Sequence, residues 1–271
     1  MLNKLRKTAS WIKSKIHSAT KANSGPVPYV VAEKERLAKM PRYEATKTLL
    51  AGTEMHIPDG LSFVEAWKEI WEKEIYSFET DSKSPLILDC GANVGLATLY
   101  FKKKFPQAEI FSFEPDPVIH SYLVENLSSA GLKDVKVYRK AIWTKATELR
   151  FLSEGSDSGK IINEGEGVIV ESVDLKDFIN QPVQFLKMDI EGAECDVLFD
   201  AKPLLGNVEK IFVEYHSFVN SPQMLGELLN LLKESGFRYH MQSVMPHDRP
   251  FLLNAPYRNT DLLTNIFAFR R

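Results

Sequence analysis

The sequence predicts an α/β fold, a mostly parallel sheet with helices on both faces. Three observations predict it. From Pro85 onward, short apolar runs alternate with stretches of helical period. Three of those runs end in an acid, Asp89, Glu114 or Asp189, where a strand of such a sheet opens onto a ligand crevice. The first run leads through a glycine-containing turn into a helix, the order of a nucleotide-binding strand–turn–helix.

The elements follow in order. Residues 1–20 place Leu2, Leu5, Ala9, Ile12 and Ile16 at helical spacing with lysines between them. Such a helix can lie on a membrane surface, or dock on its own domain or on a second subunit, which leaves open a weak peripheral membrane contact and a homodimer. Asn23, Ser24, Gly25, Pro26 and Pro28 form a break. Residues 43–60 read as irregular, with short strands around Lys47–Leu50 and Glu54–Ile57. Ser62 and Glu65 form a capping box before a helix whose Phe63, Trp67, Ile70 and Trp71 share a face. That stripe is a core pattern, though Tyr76 or Phe78 after it can approach the crevice. Residues 1–80 thus form a mainly helical N-terminal extension, and residues 81–271 the α/β domain.

In that domain the first strand is Leu86–Leu88, and a helix runs from about Val94 to Lys104. The second strand is Glu109–Phe113; Asp116 caps the next helix, with Pro117 at its first position and Gly131 past its end. Val135–Ile142 is the third strand, and residues 147–173 alternate around a Gly/Ser/Asp-rich middle, an inserted hairpin. The segment Gly155–Gly167, with Ser156, Asp157, Ser158 and Lys160, has the composition of a mobile loop that either covers a ligand or is an ordinary hairpin tip. Phe185–Met188 is the fourth strand, followed by a helix from about Ala193 to Leu205. Ile211–Val213 is the fifth, running into Glu214, Tyr215 and a loop at His216. Ser221-Pro222 opens a helix with Met224, Leu225, Leu228, Leu229 and Leu232 on its apolar face, closed by Gly236. Arg238–Met241 and Asn265–Phe269 are the last two strands.

Composition narrows the class. The 271 residues are 44% hydrophobic and 26% charged with a net charge of −2, ordinary for a globular protein. Six Lys/Arg and no acid fall in residues 1–23, leaving 28 of the 34 basic residues against all 36 acidic ones, so no basic stripe points to nucleic acid. No apolar run approaches the roughly 20 residues of a membrane span, and the N-terminus lacks a signal-peptide pattern. The two cysteines, Cys90 and Cys195, sit inside motifs rather than in a spaced framework, the usage of a reducing, cytoplasmic compartment.

The turn Asp89-Cys90-Gly91-Ala92-Asn93-Val94-Gly95 carries the ligand reading. Gly91 permits a tight turn and close backbone approach, and Gly95 lets the helix pack close. The helix N-terminus offers N–H groups to an anion such as a carboxylate. Asp89 can hold an ammonium directly or through water, and Glu114, 25 residues on, can accept from two ribose hydroxyls. A dinucleotide site wants G-x-G-x-x-G; here Asn93 fills the middle, which fits a smaller single-nucleoside ligand better. Asp116 and Ala141, at the ends of strands two and three, complete the candidate contacts.

The motifs LILDCGANVGLATLYF, IFSFEPDP, FLKMDIEGAECDVL and IFVEYH, in this order and spacing, resemble the FkbM family of methyltransferases over roughly residues 45–271. The resemblance implies a Rossmann-like seven-stranded methyltransferase sheet, mostly parallel with its last strand antiparallel. It implies S-adenosyl-L-methionine as donor and, usually, O-methylation of a sugar, glycan or natural-product hydroxyl. Cofactor contacts carry over onto Asp89, Gly91, Asn93, Gly95 and Glu114.

Transfer to oxygen requires help in removing the acceptor's proton, from a base or a divalent metal. The candidates end strands four and five: Asp189, which also faces the cofactor, with Glu191, Glu194, Glu214 and His216. His216 or Asp189 is the expected base, with Glu214 as their neighbour. The alternative is a clamp of Asp189 and Glu214 with His216 on Mg or Mn, although no residue is assigned to a metal outright. Glu191 and Glu194 also suit a helix start on dipole grounds alone. Strand alternation leaves Lys187 without a readable role. A non-catalytic cofactor-fold module is the competing class, and amino methylation of nucleic acid finds no Asn/Asp-Pro-Pro-aromatic motif.

Overall fold

The structure, a computed structural model, describes residues 28–155, 159–162, 165–245, 250–252 and 259–270. The basic helix expected over residues 1–20, the break at Asn23 to Pro26, and Ser156, Asp157 and Ser158 lie outside these residues.

Helix α1 (Pro28–Ala38) leads into a two-stranded antiparallel ribbon, β1 (Thr46–Thr48) with β2 (Met55–Ile57). Helix α2 (Gly60–Trp67) follows and widens into a π-helical turn at Lys68–Glu72. Its cap differs from the expected Ser62/Glu65 box. Asp59, in extended backbone, accepts the Ser62 N–H at 2.8 Å and pairs with Arg42 Nε at 2.8 Å, so the helix begins earlier and Ser62 lies inside it.

Strands β3 (Leu86–Cys90), β4 (Glu109–Phe113) and β5 (Lys136–Tyr138) come next, with α3 (Leu96–Lys104) and α4 (Pro117–Ser129) between them. Then come β6 (Ala141–Trp143), β7 (Glu148–Leu152), β8 (Lys160–Ile162), β9 (Val168–Asp174), β10 (Phe185–Met188), α5 (Glu194–Asp200), β11 (Lys210–Phe218), α6 (Leu225–Glu234), β12 (Arg238–Ser243) and β13 (Thr260–Phe269). Seven strands form the main sheet in the order β12-β13-β11-β10-β3-β4-β5. The β11–β10–β3–β4–β5 pairs are parallel, and the last strand, β13, is antiparallel to both its neighbours.

Alternation along β3 explains the two covered faces. Ile87 packs into one core with Phe101, Ile110 and Leu123, whereas Leu86, Leu88 and Cys90 pack into the other with Leu198, Val213 and Leu232. The first core continues through Leu37, Met55, Ile57, Phe63 and Trp67, so apolar side chains of the N-terminal extension join the core on this face of the sheet. Trp67 and Trp71 stack there with ring centroids 4.9 Å apart.

Several boundaries move. The third strand divides: β5 ends at Tyr138, where its partner β4 ends, and β6 turns away to pair with β9. The inserted hairpin is a four-stranded sheet of order β6-β9-β7-β8. The helix after the fourth strand stops at Asp200, before Pro203, which has no N–H to continue the ladder; a 3-10 turn, Lys202–Asn207, replaces it. Helix α6 starts at Leu225 rather than at Ser221-Pro222, and the Tyr215 hydroxyl accepts the Met224 N–H ahead of it. The fifth strand runs on to Phe218 because β13 pairs along its whole length, which puts His216 in a strand instead of a loop.

Candidate active site

The carboxyl ends of β3, β4, β10 and β11 meet at one edge of the sheet, where a parallel sheet presents its ligand crevice. Gly91 holds the crossing together. Its φ is +79°, and a Cβ there would lie 1.8 Å from the Asp189 carbonyl oxygen. The two loops therefore touch backbone to backbone, which only glycine permits. Gly95 (φ +89°) likewise seats α3 on Leu123 of α4.

Glu114 ties β4 to this turn. One carboxylate oxygen accepts the Asn93 N–H and the other the Asp116 N–H, each at 3.0 Å. Burial pushes its carboxyl up to about 7, against the pull of those two N–H groups. Asp116 spends its carboxylate on the Val118 and Ile119 N–H groups at the start of α4. A cavity is walled by Gly91, Asn93, Glu114, Asp116 and Ala141, and roofed by Phe151 and Ile161 of the small sheet.

Asp89 takes a different place from the one expected. It is fully buried and absent from the cavity wall. Thr98 Oγ1 donates to its Oδ2 at 2.7 Å, and Lys187 Nζ stands 3.4 Å from its Oδ1. Lys187, unreadable from the sequence, is the hub of the edge. Its ammonium donates to the Gly91 carbonyl at 2.7 Å and lies 3.3 Å from Asp189 Oδ2. Burial opposes its charge, but Asp189 and Asp89 outweigh burial and raise it well above the usual lysine range. Burial raises the Asp89 carboxyl. The available signal was a lone lysine in an apolar strand, two residues before an acid.

A second, larger cavity adjoins the first. The two share Gly91, Asn93, Glu154, Asp189 and Glu191. Its floor adds Lys187, Glu214 and His216; the N-terminal extension supplies Tyr76 and the π-helical turn, while Phe78 stacks instead on Phe185. Glu214, His216 and Phe218 alternate along β11 toward it. His216 Nδ1 meets Glu194 Oε1 at 3.1 Å; Nε2 lies 3.4 Å from Glu191 and 3.6 Å from Glu214. Burial disfavours the imidazolium, but Glu194 and Glu191 outweigh it and raise its proton affinity well above the ordinary value. The protonated form so favoured makes His216 a charge partner of these acids.

Burial also raises Glu191 and Glu214, whose remaining acidic neighbours add to the effect. Glu191 occupies left-handed backbone, φ +58°, a strained conformation that concentrates at functional sites. Glu194 is not merely a helix-start acid: it is 1% exposed and accepts the Ile190 and Gly192 N–H groups. The small sheet reaches this floor too, with Lys160 Nζ 4.7 Å from the Phe218 ring centre.

Among the described residues no helix is long and apolar enough to cross a membrane. Comparison with known proteins matches residues 89–239 to the Methyltransferase FkbM domain. "Methyltransferase 1" of Beauveria bassiana is 27% identical over 48% of this chain and 64% of its own length. The "2-O-methyltransferase NoeI" of Sinorhizobium fredii is 28% identical over 50% of this chain and 65% of its own. The "Hexuronic acid methyltransferase AglP" of Haloferax volcanii is 28% identical over 64% of this chain and 76% of its own. The chain thus spans less than two thirds of the first two of these relatives. Among solved structures, the methyltransferase FkbM of Methylobacillus flagellatus KT aligns with a TM-score of 0.48 at 15% identity, covering 88% of this chain and 58% of that one.

Proposed function

Because this chain belongs to the FkbM family of methyltransferases, we propose that it transfers a methyl group from S-adenosyl-L-methionine to a hydroxyl of a sugar, glycan or natural-product small molecule. The observation that carries this reading is the junction of the two cavities at Asp189 and Glu191, beside Glu214 and His216. The smaller cavity takes the donor and the larger one the acceptor. The names of NoeI and AglP, a 2-O-methyltransferase and a hexuronic acid methyltransferase, support the acceptor class.

The residues present fit the donor. Glu114 keeps lone pairs on both oxygens for ribose hydroxyls after accepting two N–H groups. Asn93, Asp116 and Ala141 line the nucleoside space, and the Gly91 turn before α3 suits the methionyl carboxylate. Asp89 acts from behind the wall by holding Lys187 and Thr98. When bound, S-adenosyl-L-methionine supplies an electrophilic methyl on a sulfonium.

S-adenosyl-L-methionine would give its methyl to the acceptor oxygen and leave as its sulfide, and the hydroxyl proton passes to an ionised carboxylate of the floor. The ionised form of Glu214 lies on the floor to take it, and burial makes that form a stronger base than an ordinary carboxylate. Asp189 faces both cavities and aligns the hydroxyl, while His216 balances the charge.

Purified chain given donor with a labelled methyl group and a panel of glycans and hydroxylated small molecules tests this. Transfer to oxygen, reduced by Glu214→Gln with donor binding retained and reduced also by Asp189→Asn, is the expected result. A chain that binds no S-adenosyl-L-methionine would instead be a non-catalytic module of the same fold.

A further inference from the structure

The floor of the larger cavity also brings together three side chains with the donor atoms of a metal site. One ligand atom each from Asp189, Glu214 and His216 lie within 4.8 Å of one another. Rigid backbone places them, since Glu214 and His216 lie in β11 and Asp189 directly follows β10. Lys187 engages Asp189 through Oδ2, and a carboxylate has a second oxygen to give.

The surroundings of His216 are arranged for a ligand. Behind it, Glu194 and the Glu214 carbonyl lie 3.1 Å and 3.0 Å from Nδ1. Those acceptors make Nδ1 the N–H and aim Nε2 at the carboxylates of Glu191 and Glu214. A carboxylate behind one ring nitrogen, with the other presented to acids, is how proteins orient a metal-binding histidine.

A separate observation comes from the neighbouring strand. Asn265 of β13 pairs directly with Glu214 and lines the same cavity. It is 5% exposed, and its Oδ1 has no hydrogen-bond partner. A buried amide oxygen left without a donor is unfavourable, and a cation or a water on that cation would satisfy it.

We propose that Asp189, Glu214 and Nε2 of His216 bind a divalent cation of the Mg or Mn class, with Asn265 Oδ1 as a further hard-oxygen acceptor. The donor set of carboxylates, one imidazole and an amide, with no thiolate, suits those ions. The cation takes the place of the proton on Nε2, which leaves to solvent. Beside the cavity junction it would draw in an acceptor hydroxyl and make its proton easier to lose; with Glu214 engaged as a ligand, Glu191 on the adjoining turn takes over from it as the acceptor of that proton. The purpose of this site rests on the methyl-transfer reading; its binding test does not.

Mn²⁺ titrated into the purified full chain, followed by the electron paramagnetic resonance signal of free Mn²⁺, tests the proposal. One ion bound per chain is expected. Glu214→Gln and His216→Gln should weaken binding at least tenfold, and Glu194→Gln, behind the imidazole, by about 10–100-fold. Calorimetric binding of S-adenosyl-L-methionine, kept by these variants, shows that they are folded. No uptake by the unaltered chain, or uptake that Glu214→Gln and His216→Gln leave intact, overturns the proposal. Methyl transfer that persists in chelator without uptake would leave the function standing and remove the metal. Uptake without transfer to any acceptor would do the reverse.

Discussion

The Glu114 carboxylate accepts the backbone N–H of Asn93 at 3.0 Å, joining the end of β4 to the turn after β3. The same carboxyl is held up to about 7 by burial. Ribose hydroxyls donate best to the ionised form, so donor affinity should rise as pH climbs through 7 and fall below it. Calorimetry from about pH 6 to 8 reads this, and Glu114→Gln should flatten the profile and weaken binding by about 1.5–3 kcal/mol, the worth of a hydrogen bond to a charged group. The folded chain holds this proton to about 7, against an ordinary value of 4.5, so the stability contribution of Glu114 declines as pH rises through that window.

Gly91→Ala places a methyl 1.8 Å from the Asp189 carbonyl at a φ of +79°. The backbone strain costs about 1–3 kcal/mol, and the β10 loop must move as well. The expected result is a lower Tm together with loss of donor binding, read by thermal melting and calorimetry. Wild-type binding by the variant would mean that the contact between the two loops is dispensable.

Lys187→Met removes the cation that serves both Asp89 and Asp189. Breaking a buried ion pair from one side costs about 3–5 kcal/mol. Adding Asp89→Asn should recover part of the loss, because the uncompensated charge is then gone. A double-mutant cycle in urea measures the coupling, and strict additivity would show that the pair is not energetically linked.

Asp59 caps α2 and pairs with Arg42. Burial opposes its ionisation, but the Ser62 and Tyr43 N–H groups prevail and lower it to about 2 from 3.8. Its stabilising contribution is thus present above 3.8 and lost as pH falls through about 2. Asp59→Ala should cost about 0.5–2 kcal/mol at pH 7, the value of a helix cap, and blunt the acid-unfolding limb of a pH–stability curve.

The order of strands and helices was legible from Pro85 onward because periodicity and turn chemistry are local properties. The Asp89–Gly95 turn and Glu114 were legible for the same reason, each lying at the end of its own strand. Boundaries slipped where a distant partner decides them. His216 reads as loop until β13 pairs beside it, and the third strand divides because β6 finds β9.

By itself the sequence determined the α/β architecture, the glycine turn after β3 and the acids that end the strands, since each follows from residues close together in the chain. Only the tertiary structure decided what those acids face. Lys187 became the hub because parallel pairing sets β10 beside β3, which brings Asp89 alongside it. Asn265 met Glu214 because β13 runs antiparallel in register with β11. Glu194 reached His216 across 22 residues of chain. Contacts of this kind depend on strand order and register, which no local pattern encodes.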